Sequence, residues 1–403
     1  MKISLLHYSV PPIVGGVESV IAHHARLMSA DGHDVNLIAA RGEALDENIT
    51  ITKIPLADSR HERVNQVKTQ LDKGEATKDF DALRHELMKE LEKALNDRDV
   101  LIAHNVCSLN KNLALTAALY KLHIEKKLPK LILWHHDLAW TTPRYLPELH
   151  KGYPWDLLRT DWRNTTHVVV SELRKKELAE LMKLNSESIH VIPNGVDASR
   201  FYKLESQTQA LIQQMKLLDS APILLLPVRV TPRKNIELAL RALSELKQEY
   251  PQASLVVTGP LGPHNSNNVK YFEMVKTLRK ELVLENSAHF LAELVDGFLP
   301  DEIIADFFRI ADGLLFPSRE EGFGIPLIEA AFSHLPAFCA DIAPLRELGL
   351  DDVTYFSPEE KPNDVANLIA NYFKVSSTAK LSMRARLNFR WEAIYRQHIA
   401  PIL

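Results

Sequence analysis

The feature that most constrains this chain is an alternation that runs through it twice. Short β-branched or apolar runs alternate with longer stretches of helical period, the pattern of parallel strands joined by crossover helices. The first series of strand candidates is Ile3–His7, Val35–Ala39, Val100–Asn105, Leu131–His135 and Val168–Val170. The second is Ile223–Val228, Leu255–Thr258, His289–Leu291, Leu314–Phe316 and Ala337–Cys339. Each series is long enough for one doubly wound sheet. The break falls near Pro193–Asp197 and is followed by a polar stretch at Glu205–Gln214. The expectation is an α/β protein of two doubly wound, Rossmann-like domains, residues 1–197 and 198–375.

Composition narrows the function classes. The 403 residues carry 48 basic and 52 acidic side chains, so nothing calls for nucleic acid as a partner. Cys107 and Cys339, the two cysteines, lie in separate apolar runs and read as buried thiols, not as a disulfide frame or a zinc knuckle. No apolar run reaches the length of a membrane-spanning helix. The start, MKISLLHYSVPP, reads as a strand and a turn and not as a leader, which predicts a cytoplasmic protein. Between Arg60 and Asn96, Val64, Val67 and Leu71 form one apolar stripe and Leu83, Leu87, Leu91 and Leu95 another, predicting two packed surface helices joined near Gly74.

Glycine is scarce, 14 of 403, yet four glycines sit in two loops. One is Arg319-Glu-Glu-Gly-Phe-Gly-Ile-Pro-Leu-Ile-Glu329, a strand–loop–helix unit. Backbone amides at Phe323–Ile325 would face an anion such as a diphosphate, and Gly322 and Gly324 would remove Cβ atoms from its path. Glu321 stays in the loop while Glu329 enters the helix; two such carboxylates suit the hydroxyls of a sugar and a ribose. The plain alternative is a turn cap and a solvated helix residue. Arg229 and Lys234 flank another strand–helix loop and can supply the cations a diphosphate needs. The second glycine pair, Gly15-Gly16, follows the first strand and opens a helix. Neither G-x-G-x-x-G nor the P-loop occurs there, which argues against NAD and against ATP-driven phosphoryl transfer.

His135-His136-Asp137 ends a strand; His135 reads as a core residue, and Asp137 can steady His136 or its loop. No H-E-x-x-H or paired Cys/His set is present, which argues against zinc, and a metal is not required where Arg229 and Lys234 already supply the cations. Asp97-Arg-Asp99 lies at a helix-to-strand connection, on the wrong side of the sheet for a metal-binding D-x-D. Trp134, Trp140, Trp155 and Trp162 fall in one window with Arg144, Tyr145 and Arg159. This window either packs under a long loop or borders an acceptor site, where Trp140, Arg144, Tyr145 and Arg159 would contact the acceptor.

Five elements in order, Gly15-Gly16-Val17-Glu18, His136-Asp137, Ile192-Pro-Asn-Gly-Val-Asp197, Arg229…Lys234 and Glu321-Gly-Phe-Gly…Glu329, resemble the retaining nucleotide-sugar glycosyltransferases of family 4. The resemblance implies the GT-B architecture, with two domains facing across a cleft. The first would be the acceptor side and the second the donor side, with a C-terminal helix at 376–403 packing back onto the first through Phe389-Arg-Trp391. It implies that Gly15 and Gly16 approach the donor diphosphate and that His136 lies near the donor sugar. Arg229 and Lys234 would neutralise the leaving group, Glu321 would contact the transferred hexose, and Glu329 the ribose. A UDP-glucose or GDP-mannose type donor would give up its hexose, with retention, to a small polar or anionic acceptor. No cofactor is implied beyond that co-substrate, and a homo-oligomer is compatible. The rival functions are a GT-B epimerase or hydrolase and a non-catalytic nucleotide-sugar binder. Asn235 departs from the family, which commonly has glycine after the lysine.

Overall fold

A computed structural model of the chain describes residues 1–260 and 266–403. It divides into two compact units, Met1–Gly195 with Trp391–Leu403, and Val196–Arg390.

The first unit holds seven strands: β1 (Lys2–Leu6), β2 (Asp34–Ala39), β3 (Ile49–Lys53), β4 (Val100–His104), β5 (Lys130–His135), β6 (Thr166–Val169) and β7 (Ile189–Val191). They form one sheet in the order β3-β2-β1-β4-β5-β6-β7, every neighbouring pair parallel. All five residues of β4 are buried, as expected for a central strand covered on both faces. Helices Gly16–Ala30 and Leu113–Ile124 contribute to that cover. The two predicted surface helices are Glu62–Leu71 and Lys78–Leu95. Both apolar stripes point inward, and Gly74, with φ +88°, lies in the turn that joins them.

The second unit holds β8 (Ile223–Leu226), β9 (Ser254–Val257), β10 (Ala288–Phe290), β11 (Gly313–Phe316), β12 (Ala337–Ala340) and β13 (Thr354–Phe356), in the order β10-β9-β8-β11-β12-β13, again all parallel. Both sheets are therefore doubly wound. In each, one junction joins strands whose crossovers leave in opposite directions: β1 beside β4, and β8 beside β11. Ligands of such sheets bind outside the carboxyl ends of the strands at that junction.

Two expectations about the chain path need correction. The boundary lies at Gly195/Val196, and the predicted return of 376–403 splits in two. Helix Ser377–Asn388 belongs to the second unit, because the buried Arg386 guanidinium pairs with buried Asp312 and donates to the Ser220 carbonyl oxygen at 3.0 and 3.1 Å. Only Trp391–Leu403 returns to the first unit. There the Trp391 ring lies against His23 at 5.0 Å and His24 at 5.4 Å, and Tyr395 Oη donates to Asp31 at 2.8 Å. Gly195 serves this crossing: a Cβ there would sit 2.7 Å from the Trp391 ring.

Candidate functional site

In the second unit the predicted residues gather at the β8/β11 junction. After β8 the chain runs through Val228 and Arg229 into the short turn Pro232–Lys234, then into helix Ile236–Leu246. Lys234 is buried, and its ammonium pairs with the Glu321 carboxylate from the loop after β11. Both side chains are less than one-tenth exposed, so each charge depends on the other. Arg229 does not join them; it is exposed and its guanidinium lies 5.7 Å from the centre of the Phe298 ring.

Asn235 follows Lys234 in the left-handed conformation at φ +54°, a region asparagine enters more readily than most residues. Its buried amide donates to the carbonyl oxygens of Pro317 (3.1 Å) and Pro358 (2.9 Å), tying together the segments after β8, β11 and β13. Asparagine thus meets the local requirement that glycine commonly meets. Arg319 adds a second tie: its backbone N–H donates to Arg233 O at 2.8 Å, and its side chain pairs with Glu237 and Glu359.

The loop ends in helix Ile325–Phe332, with Glu329 as its fifth residue. Phe323 and Ile325 are exposed at its entrance. Gly322 is open: a Cβ there would meet nothing within 4 Å. Gly324 requires a correction. It has φ +106°, and a Cβ would come 2.5 Å from Leu345 Cδ2, so backbone conformation and packing explain this glycine without any ligand. Glu329 is raised above the ordinary carboxylate range, first by desolvation and then by the nearby charge of Asp301.

In the first unit the junction of β1 and β4 is built of imidazoles. His7 follows β1, His104 ends β4, and His136 follows β5. Asn105, with φ +59°, is the residue that sequence reasoning missed. Its buried Oδ1 accepts the backbone N–H groups of His136 (2.7 Å) and Asp137 (3.1 Å), which fixes the His136 backbone. An asparagine directly after the strand VLIAH, apolar up to its closing histidine, was the available signal. Asp137 does not steady the imidazole; its carboxylate faces Arg174 at 3.7 Å. His136 Nε2 lies 3.2 Å from His104 Nδ1, with the ring centres 5.5 Å apart and the planes inclined by 28°, an edge-to-edge contact. Burial pulls His136 down to about 3, reinforced by the neighbouring His7, and pulls His7 itself to about 4. His135 is a core residue, with Nε2 3.1 Å from His167 Nδ1.

The glycine pair opens helix Gly16–Ala30. Glu18, in its first turn, accepts from Ser9 Oγ at 2.7 Å, and a Cβ on Gly15 would overlap that carboxylate. Gly15 therefore makes room for Glu18, while Gly16 faces open space.

Of the aromatic window, Trp134, Trp155 and Trp162 are core residues. Trp140 donates from Nε1 to Trp155 O at 3.2 Å, and Arg159, held by Asp156, lies 3.9 Å from its ring centre. Exposed Arg144 lies over Tyr145 at 4.7 Å. These four residues thus form two side-chain pairs over a packed loop. Asp97 and Asp99 lie at the opposite end of the sheet: Asp99 accepts the Lys2 N–H at 2.7 Å, and Asp97 pairs with the Lys2 ammonium. Among the described residues no group of three or more His, Cys, Asp or Glu side chains could hold a metal ion, and no helix is long and apolar enough to cross a membrane.

Residues 14–200 match the family model for Glycosyltransferase Family 4, and residues 207–388 match that for Glycosyl transferases group 1. The chain is 27% identical over 381 residues to mannosylglucosylglycerate synthase of Thermotoga maritima, covering 87% of this chain and 85% of that one. It is 25% identical over 417 residues to glycogen synthase of Mycobacterium tuberculosis, covering 98% and 92% of the two chains. A glycosyltransferase structure from Rickettsia africae is 19% identical, covering 99% and 97%, with a TM-score of 0.37. The paired family matches, on two doubly wound units, establish that the chain belongs to the family 4 glycosyltransferases of the GT-B type.

Proposed function

We propose that this glycosyltransferase moves a hexose from a nucleoside-diphosphate sugar to a small polar or anionic acceptor, with retention at the anomeric carbon. The observation that carries this reading is the buried Lys234–Glu321 pair at the β8/β11 junction, beside the open Gly322 and the first turn of helix Ile325–Phe332. A diphosphate offered to this loop would draw the ammonium of Lys234 toward its oxygens. It would also meet the backbone amides of Phe323–Ile325 and the exposed guanidinium of Arg229. The carboxylate of Glu321, released from its partner, would then accept hexose hydroxyls, and Glu329 those of the ribose.

Cations and amides aimed at the leaving phosphate stabilise the charge that develops as the glycosidic bond breaks. The departing phosphate oxygen would take the acceptor's proton on the same face, which gives an α-product from an α-donor. In the first unit His136 would bind the hexose. Gly15 and Gly16 would offer the amides that open their helix, and Trp140, Arg144, Tyr145 and Arg159 would border the acceptor. The product named for the Thermotoga relative contains a glycerate, a small anion, in keeping with an acceptor of that class.

Thermal denaturation with UDP, GDP and ADP, then with their sugars, tests the donor. One nucleotide should raise the melting temperature strongly, and its sugar should be consumed only when an acceptor is present. Consumption at the same rate without acceptor would make the protein a hydrolase, and a β-anomeric product would rule out retention.

A further inference from the structure

The imidazole packed behind His136 has a role that the reading above leaves unassigned. His104 ends β4, is wholly buried, and presents Nδ1 to His136 Nε2 at 3.2 Å. Its main-chain oxygen accepts from His7 Nδ1 at 2.8 Å, so His7 carries its proton on Nδ1. His104 also lies against Trp134 (5.3 Å, 29° between planes) and His24 (5.5 Å, 48°). His104 Nε2 is sealed from solvent and has no hydrogen-bonding partner.

Between two neutral imidazoles, one nitrogen of the contact must donate and the other accept. If His136 donated, His104 would be bare at Nδ1 and its own proton would sit on Nε2, as a buried N–H with no acceptor. Trp134 offers no substitute: its indole nitrogen is a donor only, and its ring plane is inclined just 29° to that of His104, so its face does not meet an in-plane N–H. If His104 donates instead, only an unused lone pair remains at Nε2. Buried orphan donors are rarer than buried orphan acceptors. Burial keeps both rings uncharged at neutral pH, so the choice between these two arrangements is the only one left.

We propose that His104 is a positioning residue that sets the tautomer of His136: its Nδ1–H donates to His136 Nε2, and His136 meets its ligand as a neutral Nδ1–H donor and not as a base. The functional half of this statement rests on the reading of His136 as the residue beside the transferred hexose. On that reading His136 orients a sugar oxygen by hydrogen bonding and takes no proton from the acceptor.

The test uses the full chain with ¹⁵N-labelled histidine. Long-range ¹H–¹⁵N correlation at pH 7, with the His136 signals assigned by their loss in His136→Gln, should show Nδ1 protonated and Nε2 bare. Detection of the proton on His136 Nε2 overturns the proposal outright. His104→Asn keeps a donor near the position of Nδ1 and should retain both the tautomer and most of kcat. His104→Leu should give mixed tautomers and lower kcat by about 10-fold to 100-fold, with donor KM changed far less. A His104→Leu protein whose His136 spectrum and kcat match wild type would also overturn it. If His136→Gln retains wild-type turnover while the tautomer is as stated, the placement of His136 beside the hexose fails and the tautomer assignment stands.

Discussion

The two sheets share a winding and differ in what they bury at corresponding junctions. Beside β1 and β4 the first unit gathers uncharged rings: buried His7 and His104 and half-buried His136, backed by His24, Trp134 and Trp391. Beside β8 and β11 the second unit buries a charged pair, Lys234 and Glu321. One topology therefore supports a cluster of neutral rings and a buried ion pair.

The comparison breaks most visibly in acid. Burial lowers six histidines of the first unit, His7, His24, His104, His135, His136 and His167, but in the second unit only His289 among the described residues. The unfolded chain binds protons at these sites below its ordinary histidine pKa near 6.5, and the folded chain does not. Stability is therefore full above that value and falls as the pH drops toward the folded values of about 4 for His7 and about 3 for His24 and His136. The loss is expected to reach several kcal/mol near about pH 4, enough to unfold the first unit while the second persists. All five tryptophans lie in the first unit, so their fluorescence should report this step before far-UV circular dichroism has lost the second unit's helices. A single coincident transition would show that the units are not separable in this way.

Lys234→Ala comes next. Transfer should fall about 10³-fold, the upper range for removing one leaving-group stabiliser, while the tryptophan-detected melt of the first unit stays in place. Wild-type-like turnover would remove the ion pair from the site. A smaller effect is expected at Gly324→Ala. The positive φ and the Leu345 contact should cost about 1–3 kcal/mol by denaturant unfolding of the second unit, and a neutral result would mean that the loop relaxes freely. The smallest effect separates the two demands on Asn235. Asn235→Gly loses the two carbonyl contacts alone and should cost about 1–2 kcal/mol. Asn235→Ala adds the left-handed penalty, about 1 kcal/mol more. Equal costs would mean that backbone conformation is not what selects asparagine there.

Most of the sheet framework was legible, and the unpredicted strands share one property. Ile49–Lys53, Ile189–Val191 and Thr354–Phe356 are all at sheet edges and partly exposed, so they lack the continuous apolar run that marked the central strands. The loops carrying Lys234, Glu321 and His136 were legible because glycine and charge cluster at strand ends. Asn105 and Asn235 were not, because their work is to accept or donate to backbone groups that only the folded chain brings near. The path of residues 376–403 was misplaced for a related reason. Nothing in helix Ser377–Asn388 names its partner, and Asp312, which holds Arg386, is 74 positions away.

The return of Trp391–Leu403 to the first unit carries a consequence for how the chain is made. Residues 196–390 are contiguous and can close their own sheet as soon as they are synthesised. The first unit, although begun first, lacks the Trp391 ring against His23 and His24, and the carbonyls of Ile402 and Leu403 that accept from Lys130 at 2.8 and 2.7 Å, until the whole second unit has been translated. The first unit is thus completed only after the second has been translated, and a ribosome pausing within residues 196–390 would leave a seven-stranded sheet without the Trp391–Leu403 segment.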